Sequence, residues 1–107
     1  TNNGSQPMFS KSKRFIIVFN GEIYNHLELR KSLQKNLNTN WHGRSDTETL
    51  LEIFEQFGIE KTLNLINGMF AFCIYDQKLQ KFFLARDKMG EKPLYYYLYN
   101  NNFFFFI

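Results

Sequence analysis

Phe15-Ile-Ile-Val-Phe19 is an unbroken apolar run, partly β-branched, that stops at Asn20-Gly21 and a charged Glu22. A run of that length and composition reads as a strand covered on both faces. Asn-Gly is a strong turn signal, so the strand is expected to end there. A rigid element then delivers an amide side chain, a backbone N–H with no side chain beside it, and a carboxylate to one spot. Such a trio can bind a polar ligand and stabilise a developing negative charge. The same residues also satisfy a plainer reading, a hairpin turn followed by a helix N-terminus.

The rest of the chain reads as scaffold. Thr1 to Lys13 is polar, and Pro7 restricts Gln6 to extended geometry, which suggests a loop feeding the strand. Asn25-x-x-Glu28 has the form of a capping box, with Tyr24 and Leu29 at the hydrophobic-staple positions. Leu29, Leu33 and Leu37 then mark one apolar face of a helix ending near Asn36, with Arg30, Lys31 and Lys35 on its solvated side. Residues 38–44 form a polar connection, where His42 lacks a second His or Cys at metal-ligand spacing and reads as a loop histidine. Ser45 and Glu48 make a second capping box; Leu50, Leu51, Phe54 and Phe57 follow at helical spacing, and Gly58 suits the helix end. A short helical stretch covers residues 59–67.

From Gly68 the period becomes that of strands. Met69 to Tyr75, Leu79 to Ala85, Leu94 to Tyr99 and Phe103 to Ile107 are expected strands. Turns are expected at Asp76-Gln77-Lys78 and Asn100 to Asn102, with a loop through Arg86-Asp87 and Gly90 to Pro93. The order of one strand, two helices and an antiparallel meander predicts an α+β fold with helices packed on a sheet face.

At 107 residues the chain is at most one ordinary domain, and 13 Phe with 6 Tyr supply large areas for burial. The net charge of +3 is spread out, apart from Lys11, Lys13 and Arg14, which argues against a nucleic-acid surface. The single Cys73 rules out an internal disulfide and suits a reducing compartment; inside an apolar strand it reads as an inert, buried thiol. Neither a membrane-length apolar stretch nor a signal-peptide core is present, so no membrane partner and a cytoplasmic location are expected. The polar opening without Met, and the end inside Phe103–Ile107, suggest a fragment cut at both ends, with an exposed strand edge and a poor surface-to-core ratio.

The run Val18-Phe-Asn-Gly-Glu-Ile-Tyr-Asn25 resembles the N-terminal glutaminase domain of class II glutamine amidotransferases, most of all that of glutamine-hydrolysing asparagine synthetases. Further segments agree in order: Gln6-Pro-Met8, Ser45-Asp-Thr-Glu48, Gly68-Met-Phe-Ala-Phe72, Ala85-Arg-Asp87, then Gly90 and Lys92-Pro-Leu-Tyr-Tyr96. The resemblance implies a four-layer αββα N-terminal-nucleophile hydrolase fold, of which residues 1–107 would be an incomplete amidotransferase domain. It implies that an N-terminal cysteine attacks the side-chain amide of L-glutamine, forming a thioester and releasing ammonia. The ammonia would serve a C-terminal synthetase domain of the same parent chain, where ATP and Mg activate aspartate; no cofactor or metal is expected in this domain. A homodimer of the parent is left open.

By resemblance, the Asn20 side-chain NH₂ and the Gly21 N–H are the catalytic oxyanion donors, and Asn20, Gly21, Glu22 and Asp46 bind glutamine. Glycine admits close approach, and a carboxamide donates without titrating. Carboxylates suit an α-ammonium, although Asp46 also suits a plain helix N-terminus. Arg86, Asp87 and Lys92-Pro93 match family segments but read as structural or interdomain. The family's nucleophilic cysteine and carboxylate-gripping arginine would lie upstream of Thr1, so the chain alone is expected not to hydrolyse glutamine. Neither Cys73 nor Thr1 replaces the nucleophile, and Arg44 is not at the family's arginine position. Two alternatives remain: another class II amidotransferase, forming glucosamine phosphate or phosphoribosylamine, or a non-catalytic binding module. Glu22-Ile-Tyr-Asn25 and Lys92-Pro-Leu-Tyr-Tyr96 favour asparagine synthetase over the first.

Overall fold

A computed structural model describes residues 7–37, 40–88, 91–99 and 102–106. Six strands form one antiparallel sheet in sequence order: β1 (Met8–Phe9), β2 (Phe15–Ile23), β3 (Gly68–Asp76), β4 (Lys81–Lys88), β5 (Glu91–Tyr99) and β6 (Asn102–Phe106). Between β2 and β3 the chain makes a helical excursion: α1 (His26–Ser32), α2 (Gln34–Leu37), α3 (Asp46–Phe57) and α4 (Ile59–Leu65). The α+β arrangement with helices on one sheet face is as the residue pattern predicts.

Alternation sets the core. Phe15, Ile17, Phe19 and Ile23 of β2 and Phe70, Phe72 and Ile74 of β3 point to one face, where Leu29, Leu50, Leu51, Ile53, Phe54 and Leu63 of the helices cover them. Phe54 on α3 sits edge-on between Phe15 and Phe83, with ring centroids 5.1 Å from each. Burying each such side chain contributes about 1.5–3 kcal/mol. The other face of β2 and β3 is open among the described residues: Val18 of β2 is 56% and Met69 of β3 59% exposed. The expectation of a strand covered on both faces is therefore corrected; an apolar run here is a one-sided strand whose outer residues are apolar too.

Asn20-Gly21 is not a turn. β2 runs on to Ile23 and pairs with β3 through nine consecutive positions, Phe15↔Asp76 to Ile23↔Gly68. Ladder bonds along the whole of β3 outweigh the local turn preference. Gly21 is still needed as glycine: its φ is +121°, and an added Cβ would collide with the Met69 carbonyl oxygen.

Other boundaries shift for physical reasons. Met8–Phe9, expected in a loop, adds a short strand to β2. The first helix breaks at Leu33, so it ends four residues earlier than the leucine spacing suggests. Asn25 makes no side-chain cap; its Nδ2 donates to the Leu65 carbonyl at 2.9 Å and its Oδ1 accepts from the Asn67 N–H at 2.9 Å. Tyr24 is 60% exposed, so no staple forms. The second capping box is half made. Ser45 Oγ accepts from the Glu48 N–H at 3.1 Å, but the Glu48 carboxylate turns to the N–H groups of His42 and Gly43. Gly58, with φ +85°, ends α3 as expected.

Arg86 and Asp87 lie inside β4 rather than in a loop, and β5 already begins at Glu91, before Pro93. Where β4 breaks register near Lys88, Asp87 Oδ1 accepts the Phe70 N–H at 2.7 Å and keeps that donor satisfied. Leu79 falls in the turn before β4 and is exposed. Gln6, Gly90, Asn100 and Ile107 lie outside the described residues. Among the described residues, no helix is long and apolar enough to cross a membrane.

Candidate active site

The C-terminal end of β2, the start of α1 and the start of α3 meet at one corner. Ser45 caps α3 and so places Asp46 at its first position. From there Asp46 Oδ2 accepts the Ile23 N–H at 2.8 Å, which ties the end of β2 to the helix. Asp46 thus serves the structural role that its position allows, and its carboxylate also borders a cleft. The cleft, open and about 530 Å³, is lined by Glu22, Ile23, Tyr24, His26, Arg44, Ser45 and Asp46. That volume suits a small ligand, and the lining offers carboxylates, a guanidinium and an imidazole. Burial pulls the His26 pKa below its ordinary value; Arg30 and Arg44 add to this and Asp46 opposes it. The imidazole is therefore neutral near pH 7, with Nδ1 3.2 Å from Thr49 Oγ1.

Glu22 and Asp46 are brought together. Asn20 faces elsewhere: its side chain borders a shallow groove of about 370 Å³ on the open sheet face, with Val18, Ala71, Cys73, Leu84 and Arg86. Asn20 and Glu22 share that face of β2, about 7 Å apart along the strand, and Gly21 lies between them, opposite Phe70. Asn20 thus borders the groove, Glu22 and Asp46 border the cleft, and Gly21 lies in the strand between Asn20 and Glu22.

Cys73 is half-buried on the outer side of β3 and not in the core as its apolar neighbours suggest. Burial raises its pKa, so it remains a thiol at neutral pH. His42 is exposed in the loop before α3. Arg44 borders the cleft, although it was not among the expected site residues. The pattern also misplaced Arg30, which is not on a solvated face: its side chain is 10% exposed and turned toward α3. The available signal was the spacing of His26 and Arg30, four apart and so on one helix face; both reach Thr49.

A family model described as glutamine amidotransferase domain matches residues 1–106. The chain belongs to this family. The amidotransferase domain is 42% identical over 94 residues to asparagine synthetase [glutamine-hydrolyzing] 1 of Bacillus subtilis, covering 88% of this chain and 15% of that protein. It is 38% identical over 93 residues to the asparagine synthetase [glutamine-hydrolyzing] of Brassica oleracea, covering 87% and 15%. A putative asparagine synthetase [glutamine-hydrolyzing] 2 of Methanocaldococcus jannaschii is 43% identical over 81 residues, covering 76% and 15%. The domain thus spans about 15% of the length of these relatives. Its fold is similar to that of a glutamine phosphoribosylpyrophosphate amidotransferase from B. subtilis, with TM-score 0.72 and 17% identity, over 94% of this chain and 31% of that one.

Proposed function

We propose that this domain is the glutaminase part of a longer glutamine-hydrolysing asparagine synthetase. The observation that carries the proposal is the identity to enzymes of that name across residues that include the β2 end and the Asp46 cleft. L-Glutamine would lie along the strand end. Its α-ammonium would enter the cleft beside Glu22 and Asp46, and its side chain would extend past Gly21 to Asn20. There the Asn20 carboxamide NH₂ and the Gly21 N–H would donate to the oxyanion formed as a cysteine thiolate adds to the amide carbonyl. Collapse of that intermediate releases ammonia and leaves a thioester; water then frees glutamate. Two fixed donors suit this step because they need no reorganisation as the charge appears.

The four-layer αββα architecture belongs to the same proposal: a second sheet would cover the open face that carries Val18, Asn20 and Cys73. The ammonia would pass to a synthetase domain that holds ATP and Mg and amidates aspartate. The cytoplasm is the proposed compartment, and a dimer of the whole protein is compatible with it.

The test uses the full-length protein that carries this domain. Asn20→Ala is expected to lower kcat for glutamate release about 10²–10³-fold, while synthesis of asparagine from aspartate, ATP and free ammonia continues. Undiminished glutamate release in Asn20→Ala overturns the assigned site.

A further inference from the structure

Arg30 engages the neighbouring loop and the first turns of α3 with every nitrogen of its guanidinium. Its Nε donates to Thr49 Oγ1 at 2.6 Å, Nη1 to the Gly43 carbonyl at 2.6 Å and Nη2 to the Ser45 carbonyl at 3.0 Å. Glu48 lies 3.7 Å from Nη2, and the Trp41 ring is stacked 4.0 Å from the guanidinium. All of these partners belong to the loop of residues 41–45 or to the first turns of α3. A rigid planar fork can hold two carbonyls and a hydroxyl at once, which a lysine cannot.

The loop is gripped from both sides. Arg30 takes the carbonyls of Gly43 and Ser45, while the Glu48 carboxylate takes the N–H groups of His42 at 2.7 Å and Gly43 at 3.0 Å. The two carbonyls held by Arg30 flank Arg44, and the second immediately precedes Asp46. Fixing the Ser45 carbonyl fixes the entry into α3 and hence the direction of the Asp46 carboxylate, which meets the Ile23 N–H and borders the cleft. Arg30 itself does not line that cleft.

We infer that Arg30 is a positioning residue for ligand recognition: it holds the loop that aims Arg44 and Asp46 into the cleft beside Glu22, without touching the ligand. The inference rests on the glutaminase reading above.

In the full-length protein, Arg30→Gln and Arg30→Lys are compared with the parent in glutamate release across a glutamine titration. The KM for glutamine is expected to rise about tenfold in both, with kcat within about twofold, the size of losing well-placed bonds to a charged group. Because Arg30 acts through Asp46, Asp46→Asn is expected to add little on the Arg30→Gln background. Should Arg30→Gln fail to fold, Arg30→Lys and the near-isosteric Thr49→Val carry the same measurement, the latter with a smaller rise in KM. A KM within twofold of the parent in the folded variants overturns the inference, as does a full, additive effect of Asp46→Asn. If glutamate release survives Asn20→Ala, the catalytic assignment fails while the KM comparison still decides the role of Arg30. A parent that releases no glutamate overturns both.

Discussion

Replacing Gly21 by alanine measures how closely β2 lies on β3. The native φ of +121° is one that L-residues rarely adopt, and holding alanine there costs about 1–3 kcal/mol. The added Cβ would also press on the Met69 carbonyl and stand 2.7 Å from the Phe70 Cα, backbone atoms that cannot rotate away. Relieving such overpacking costs about another 1–3 kcal/mol. The sum, about 2–6 kcal/mol, is a large part of the roughly 5–15 kcal/mol that stabilises an ordinary domain. Gly58 supplies the internal comparison. Its φ is +85°, but nothing lies within 4 Å of an added Cβ, so only the backbone strain remains. Urea unfolding of the chain and the two alanine variants, followed by circular dichroism, separates the two contributions. With a slope of about 1–3 kcal/mol/M, the Gly21→Ala midpoint should fall roughly 1 M below that of Gly58→Ala. Equal midpoints, or a Gly21→Ala variant more stable than Gly58→Ala, would refute the close approach of the two strands.

Asp76 supplies an acid limb to the stability. Burial alone would raise its pKa, but bonds from Arg14 at 2.9 and 2.7 Å and from the N–H groups of Lys78 and Leu79 outweigh burial and hold it below the ordinary value. Its contribution is therefore complete above the unfolded carboxylate pKa and is lost as pH falls through the depressed folded value; melts from about pH 5 to pH 2 should lose that limb in Asp76→Asn. Ser45→Ala removes the side-chain acceptor for the Glu48 N–H and should cost about 1 kcal/mol in the same urea assay, with Ser45→Gly milder. Cys73, raised in pKa by burial, should react with iodoacetamide at pH 7 several-fold more slowly than a free thiol in denatured chain; equal rates would contradict its placement.

The element types were readable because hydrophobic patterning reports a local property. Phe15 to Phe19 is an unbroken, partly β-branched run, and Leu50, Leu51 and Phe54 wind, whatever their distant partners. What failed depended on those partners. Asn20-Gly21 looks like a turn until β3 supplies a ladder beside it, and Asn25 looks like a cap until Leu65 and Asn67 compete for its carboxamide. Arg30 reads as a surface cation because nothing local shows that Gly43, Ser45 and Thr49 return to meet it. Of the candidate site, Glu22 stood out with Asn20 and Gly21 at the end of the apolar run, Asp46 was found through family resemblance, and the cleft that Glu22 and Asp46 share needed the fold. Arg44 and His26 carry no motif of their own and emerge only from that cleft.

The nine-pair ladder of β2 and β3 is pinned at both extremities: Arg14 grips Asp76 at one, and Asn25 bridges to Leu65 and Asn67 at the other. A slide by one residue would break both clasps and turn every side chain to the wrong side. The place of Asn20 along the sheet is thus set by the strand pair and its two clasps rather than by the helical excursion between them. The insert itself is anchored at the corner where Asp46 meets Ile23, so the strand pair and that corner together form the fixed ruler against which a ligand is measured.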